Sequence, residues 1–264
     1  METNSFDCYS PPQIAERVES ACLAKATTRL LSLAMLGVLA GAFIGLGSMF
    51  YVIVASDPTL GFAASRVLGG LVFSLGLVLV VVAGAELFTG NNLLAMAWAQ
   101  RALTTRDVLK NWTVVCAANF VGAAGLAAFV VLSGLADPIA GTYLEIANAK
   151  AALPFWTAFF RGVLCNVLVC MAVWMTLAGR SVTDKVIAVV FPISAFVAAG
   201  FEHSVANMYF FPLAMMLQAA QGVAPDFSWL WRNLVPVIAG NLVGGSVLVA
   251  LVYYVIYRRP ARAA

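Results

Sequence analysis

Apolar residues fall into six blocks, near residues 31–55, 67–99, 112–135, 155–178, 186–217 and 233–257, with short polar stretches between them. Each block reaches the roughly 20 residues that a helix needs to cross the hydrocarbon layer. The pattern predicts an all-α integral membrane protein with six transmembrane helices. The second and fifth blocks exceed 30 residues, too long for one straight crossing, and glycine and polar residues interrupt both. Each is expected to be a helix broken part-way through the membrane. Residues 1–28 are polar, and after Pro11 and Pro12 the residues Ile14, Val18 and Cys22 share one face at helical spacing. This predicts an amphipathic cytoplasmic segment ahead of a membrane domain at 29–258 and a short tail at 259–264.

Composition narrows the classes. Of 264 residues 62% are hydrophobic and 10% charged, against roughly 25% charged in a soluble domain. A secreted disulfide scaffold, a disordered chain and a cytosolic enzyme are excluded. The net charge of +3 is too small and too scattered for nucleic-acid binding. Five cysteines without CxxC or Cys/His spacing give neither a disulfide framework nor a zinc site. The N-terminus is too acidic for a signal peptide, so the first apolar block acts as its own signal. With a cytoplasmic N-terminus, eleven Lys/Arg lie on the inner side and four (Arg66, Lys150, Arg161, Arg232) on the outer. That bias predicts that both termini are cytoplasmic.

The chain also repeats itself. AGAELFTGN (83–91) matches AGFEHSVAN (199–207) at an offset of 116, and NWTVVCAANFVGA (111–123) matches NLVPVIAGNLVGG (233–245) at 122. A weaker GVL match links Gly37 to Gly162. Three-helix units can repeat only with inverted orientation. Inverted repeats with broken helices belong to transporters and channels, whose substrate site lies near the midplane where the breaks meet.

Few polar residues fall inside the blocks. Glu86 and Glu202 are repeat mates, and either a structural or a pathway role fits them. As structural groups, their carboxylates would satisfy backbone N–H groups freed at the breaks. The single histidine, His203, has Leu87 as its mate, so symmetry does not require it. It reads as a pathway residue able to donate hydrogen bonds and exchange a proton near neutral pH, with the hydroxyl of Thr89 on the facing break. Asn91 and Asn207 recur within the break motifs. Asn119 and Asn241, beside Gly122 and Gly244, read as interhelical hydrogen bonds. Asn166 has no Asn mate and fits packing or pathway equally. Phe73, Leu77 and Phe196 precede the breaks and fit either ordinary packing or hydrophobic gates.

These blocks resemble the formate/nitrite transporter family. The resemblance runs through NSFDxxxPPQIAERVE, GGLVFSLGLVLVVVAGAELFTGNN, KNWTVVCAANFVGA, LCNVLVCMAVWM, GRSVTDK and FEHSVANMYFFP, and is nearest the formate-channel branch. It implies an aquaporin-like protomer with its own pore, assembled as a homopentamer in the inner (cytoplasmic) membrane. It further implies His203 as the central pore histidine and Thr89 as its loop threonine. Phe73, Leu77 and Phe196 would be constriction residues, Lys150 and Asn166 would lie along the substrate route, and Leu87 and Phe88 would line the inner constriction.

The expected function is a channel for small monovalent weak-acid anions, formate first, then nitrite, hydrosulfide or lactate. Lys150 would draw anions into an outer vestibule. A bare anion crosses an apolar constriction only at high cost, and desolvation raises its proton affinity. His203 would then exchange a proton with it. No cofactor or metal is expected. A membrane enzyme using His203 as acid or base would need partners: the sequence has no second histidine, HExxH or serine elbow.

Overall fold

Helix α1 (Pro11–Thr27) of the computed structural model, which describes residues 7–259, begins on its two prolines. The Gln13 carboxamide accepts the Ser10 N–H at 2.9 Å, half of a capping box. Its buried face is Ile14, Ala15, Val18 and Cys22. Two clamps hold that face down. The Tyr9 ring lies between the Arg17 and Arg180 guanidinium groups, each 4.1 Å from its centroid. Arg258 reaches Glu19 at 2.6 Å and Glu16 at 3.4 Å.

The rest of the chain follows the apolar blocks: α2 (Leu30–Ala55), α3 (Phe62–Gly84), α4 (Leu94–Ala99, after a short 3-10 turn at Gly90–Leu93), α5 (Thr105–Leu132), α6 (Ala140–Ala151), α7 (Phe155–Thr176), α8 (Val182–Ala198), α9 (Ser204–Ala220) and α10 (Leu230–Arg258). All regular structure among the described residues is helical. Five helices, α2, α3, α5, α7 and α10, are long and apolar enough to cross a membrane. The block expected to supply a further crossing, 186–217, is divided between α8 and α9, of 17 residues each. Capping boxes start α5 and α8: the Thr104 hydroxyl accepts from Asp107 N and the Ser181 hydroxyl from Asp184 N.

Gly84 and Gly200, repeat mates, end their helices in the left-handed region, at φ +85° and +73°. A side chain at either position would be strained there, so glycine marks where the helix stops and the chain turns.

Packing repeats as the sequence does. α2 lies along α5 and α7 along α10, while α3 meets α8 between the two units. A Cβ on Gly122 would collide with the Val38 carbonyl, and one on Gly244 with the Val163 carbonyl. Missing side chains let both helix pairs approach backbone to backbone. The outer flanks carry exposed Leu31, Phe129, Leu132 and Phe191, a surface suited to lipid rather than water.

Candidate functional site

The segments 85–89 and 199–203 leave the helices, so several of their backbone groups lack intrahelical partners. Two asparagines from neighbouring helices supply them. On α5, Asn119 Nδ2 donates to the carbonyls of Glu86 (2.9 Å) and Gly37 (2.7 Å), while its Oδ1 accepts from Phe88 N at 2.9 Å. On α10, Asn241 Nδ2 donates to the carbonyls of Glu202 (3.0 Å) and Gly162 (2.8 Å), and its Oδ1 accepts from Ser204 N at 3.0 Å. These are the interhelical bonds expected of Asn119 and Asn241. They also correct the expectation for the carboxylates: amide side chains, not Glu86 and Glu202, satisfy the freed backbone. An amide carries both donor and acceptor, whereas a carboxylate only accepts.

The two carboxylates instead centre a pair of ionic clusters. Glu86 Oε2 accepts from Asn91 at 2.7 Å and Oε1 from Lys25 at 2.7 Å. Glu202 Oε2 accepts from Asn207 at 2.7 Å and Oε1 from Lys150 at 2.9 Å. The same asparagines donate onward, Asn91 to Asn111 Oδ1 at 2.9 Å and Asn207 to Asn233 Oδ1 at 2.6 Å. A buried charge is tolerable only when paired and hydrogen-bonded, and both are. Lys150 is therefore half of an ion pair rather than a free cation.

Between the breaks, His203 Nε2 stands 3.0 Å from Thr89 Oγ1. His203 is also the N-cap of α9: its Nδ1 accepts from Ala206 N at 3.2 Å. That bond assigns the neutral tautomer with its proton on Nε2, which donates to the Thr89 oxygen and leaves the Thr89 hydroxyl hydrogen free for another acceptor. The imidazole stacks on Phe196 (centroids 5.8 Å, 17°), and Phe196 meets Phe73 edge-to-face at 5.6 Å. Above them lies a cavity of about 180 Å³, walled by Tyr51 and Phe210, with Lys150 and Glu202 at its side and Phe73, Phe196 and His203 as its floor.

A family profile described as formate/nitrite transporter matches residues 12–255. The chain belongs to the formate/nitrite transporter family. It is 38% identical to the formate channel FocA of Escherichia coli K12 over 97% of either chain. Among solved structures it resembles a pentameric formate channel with formate bound (TM-score 0.80, 35% identity, 87% of this chain and 98% of that one). It also resembles an FNT family ion channel (TM-score 0.83, 28% identity, 94% and 99%).

Within this family frame, the expected site residues divide. His203, Thr89, Phe73 and Phe196 come together. Asn166 joins them from the side: its Nδ2 lies 3.2 Å from the Thr89 carbonyl, 2.7 Å from Asn92 Oδ1 and 2.7 Å from the Asn241 carbonyl. It ties the first break to α10. Leu77, Leu87 and Phe88 are buried in the core and do not line that cavity.

Four residues were not singled out by sequence. Lys25 is the partner of Glu86, and its offset of 125 from Lys150 equals that of Gly37 from Gly162, which would have found it. Asn92 connects Asn166 to the Phe88 carbonyl at 3.1 Å. Arg66 and Arg161 line the cavity beside Lys150 and had counted only toward orientation. With the Lys150–Glu202 pair neutral, these two arginines carry the vestibule's net positive charge.

Proposed function

We propose that the protein is a channel for small monovalent weak-acid anions, formate first, working as a homopentamer in the inner membrane with cytoplasmic termini. In this reading six segments cross the bilayer as two inverted units, with α3–α4 and α8–α9 the two crossings broken at the midplane. Residues 1–28 form the cytoplasmic segment, 29–258 the pore domain and 259–264 the tail, of which 1–6 and 260–264 lie outside the described residues. The 3.0 Å contact of His203 with Thr89 between the breaks carries the reading.

Arg66 and Arg161 raise the local anion concentration over the cavity. The Phe73–Phe196 pair, with Leu77, Leu87 and Phe88 deeper in, forms the apolar constriction that a bare anion crosses only at high cost. Just behind the aromatic pair, the Thr89 hydroxyl is the donor the anion meets first, with Asn166 beside it. Proton exchange runs through Nε2: an imidazolium N–H bond breaks, the O–H bond of the acid forms, and neutral imidazole remains for a proton from water. Forming the imidazolium puts a hydrogen on Nδ1, so the cap bond from Ala206 N must open, costing about 0.5–2 kcal/mol.

That cap bond favours a second reading of the same site, in which His203 stays neutral and only holds Thr89 as a donor. His203→Asn separates the two, because asparagine is a good N-cap and keeps α9 intact. Proteoliposome flux of formate, compared with nitrite, hydrosulfide and lactate, is the measurement. Proton exchange predicts that acid uptake falls at least tenfold in His203→Asn and loses its pH dependence between about pH 5 and 8. Unchanged, pH-dependent uptake would leave His203 as a lining group only.

A further inference from the structure

A second cavity opens between α5 and α10, far from the vestibule, with a volume of about 570 Å³ and walls that are almost wholly apolar. It lies on the pseudo-symmetry axis, since its lining pairs Leu109 with Trp231, Cys116 with Ile238 and Phe120 with Leu242 at the same offset of 122. Its depth reaches Phe88 at the first break and Met208 in the second turn of α9, each 2% exposed. The groove thus runs from the outer flank of the helices to the edge of the pore centre. Water does not fill an apolar cavity of this kind, and an empty one forfeits contacts along every wall.

Two features select the occupant. Close helix pairs in this protein use glycine, as at Gly122 and Gly244. The groove's rims are bulky and exposed instead: Leu109, Trp231 and Val235. A helix of another copy could not seat its backbone between them, whereas a flexible chain could. The second feature is charge. Arg106, Leu109, Lys110 and Thr113 form one stripe of α5 at helical spacing. Both cations are exposed, and neither forms an ion pair among the described residues. The one acid beside them, Asp107, is occupied by the Thr104 cap.

We propose that this groove is an acyl-chain site for an anionic phospholipid, its phosphate held by Arg106 and Lys110 and its chain lying along α5 to Phe88. The chain packs on the residue that precedes Thr89, so the lipid completes one wall of the first break. This assignment is independent of which anion permeates.

Photo-crosslinking tests it. The full chain is reconstituted with phosphatidylglycerol or phosphatidylcholine carrying a diazirine in the acyl chain, and adducts are mapped by mass spectrometry. The anionic lipid should give saturable adducts on 109–120 and 238–242. It should outcompete the zwitterionic lipid by roughly tenfold or more, as two cations at a membrane surface imply. The exposed pair R106Q/K110Q should erase that preference, and Ala117→Phe, which fills the groove, should abolish the adducts. Equal labelling by both lipids, unchanged by R106Q/K110Q, would reduce the groove to ordinary lipid contact. Absence of adducts there would mean that another copy of the chain covers it. Either result overturns the proposal.

Discussion

At the scale of single residues, Asn119 and Asn241 do most to define the breaks, because each holds one N–H and one carbonyl at a break and anchors them to a helix carbonyl, Gly37 or Gly162. Each unmade bond costs about 1–3 kcal/mol. Asn119→Leu and Asn241→Leu should therefore lower the thermal unfolding midpoint by similar, large amounts. Val121→Leu, on the exposed side of α5, should not. Losses no greater than that control would mean the breaks are held by packing alone. The two ion pairs differ in depth: the Lys25 and Glu86 side chains are 30% and 10% exposed, those of Lys150 and Glu202 17% and 4%. Removing one partner of a buried pair strands the other charge. Glu202→Gln should thus destabilise more than Glu86→Gln in the same assay, and the reverse order would contradict the burial argument.

At the scale of elements, α1 is bound to the body more tightly than its polar composition suggests. Its apolar face was legible in the sequence because Ile14, Val18 and Cys22 recur at helical spacing. Its docking was not, because the Arg17–Tyr9–Arg180 stack and the Arg258 clamp join residues far apart in the chain. Through Lys25 the helix also neutralises Glu86, so cutting α1 away would strand a buried carboxylate. Loosening it is the cleaner experiment. Burial pushes the Cys22 thiol up to about 12, with Lys25 pulling only partly the other way. Since the thiolate is the nucleophile, Cys22 should resist maleimide near pH 7.5 while exposed Cys8 reacts. Arg258→Gln should undock the helix and speed Cys22 labelling at least tenfold, read by peptide mass spectrometry. Equal labelling of both cysteines in the unmodified chain would show that α1 is not held down.

At the scale of the whole molecule, the sequence repeat organises both the packing and the site, and much of it could be read in advance. The offsets of 116 and 122 pick out both non-helical segments, the Glu–Asn clusters and the asparagines that bond them. Local identity carries such information because the same backbone geometry, from the left-handed glycine to the amide cap, is solved twice with the same residues. Where the units diverge, sequence told less. Arg161 is mate to Leu36, the residue before Gly37, so its place over the second break has no counterpart over the first. Its backbone carbonyl accepts from Glu202 N at 3.3 Å, as that of Leu36 accepts from Glu86 N at 3.2 Å, but only Arg161 adds a charge. Together with Arg66, this puts two cations, unpaired among the described residues, on the cavity above the second break. An anion channel built this way should depend on ionic strength from that side. In planar bilayers, R66Q/R161Q should lower anion current roughly tenfold near 10 mM salt, where the Debye length is about 30 Å. The deficit should shrink to under about twofold at 1 M, where screening acts within about 3 Å. A deficit that persisted at high salt would place the two arginines in contact with the permeating ion instead of in its approach.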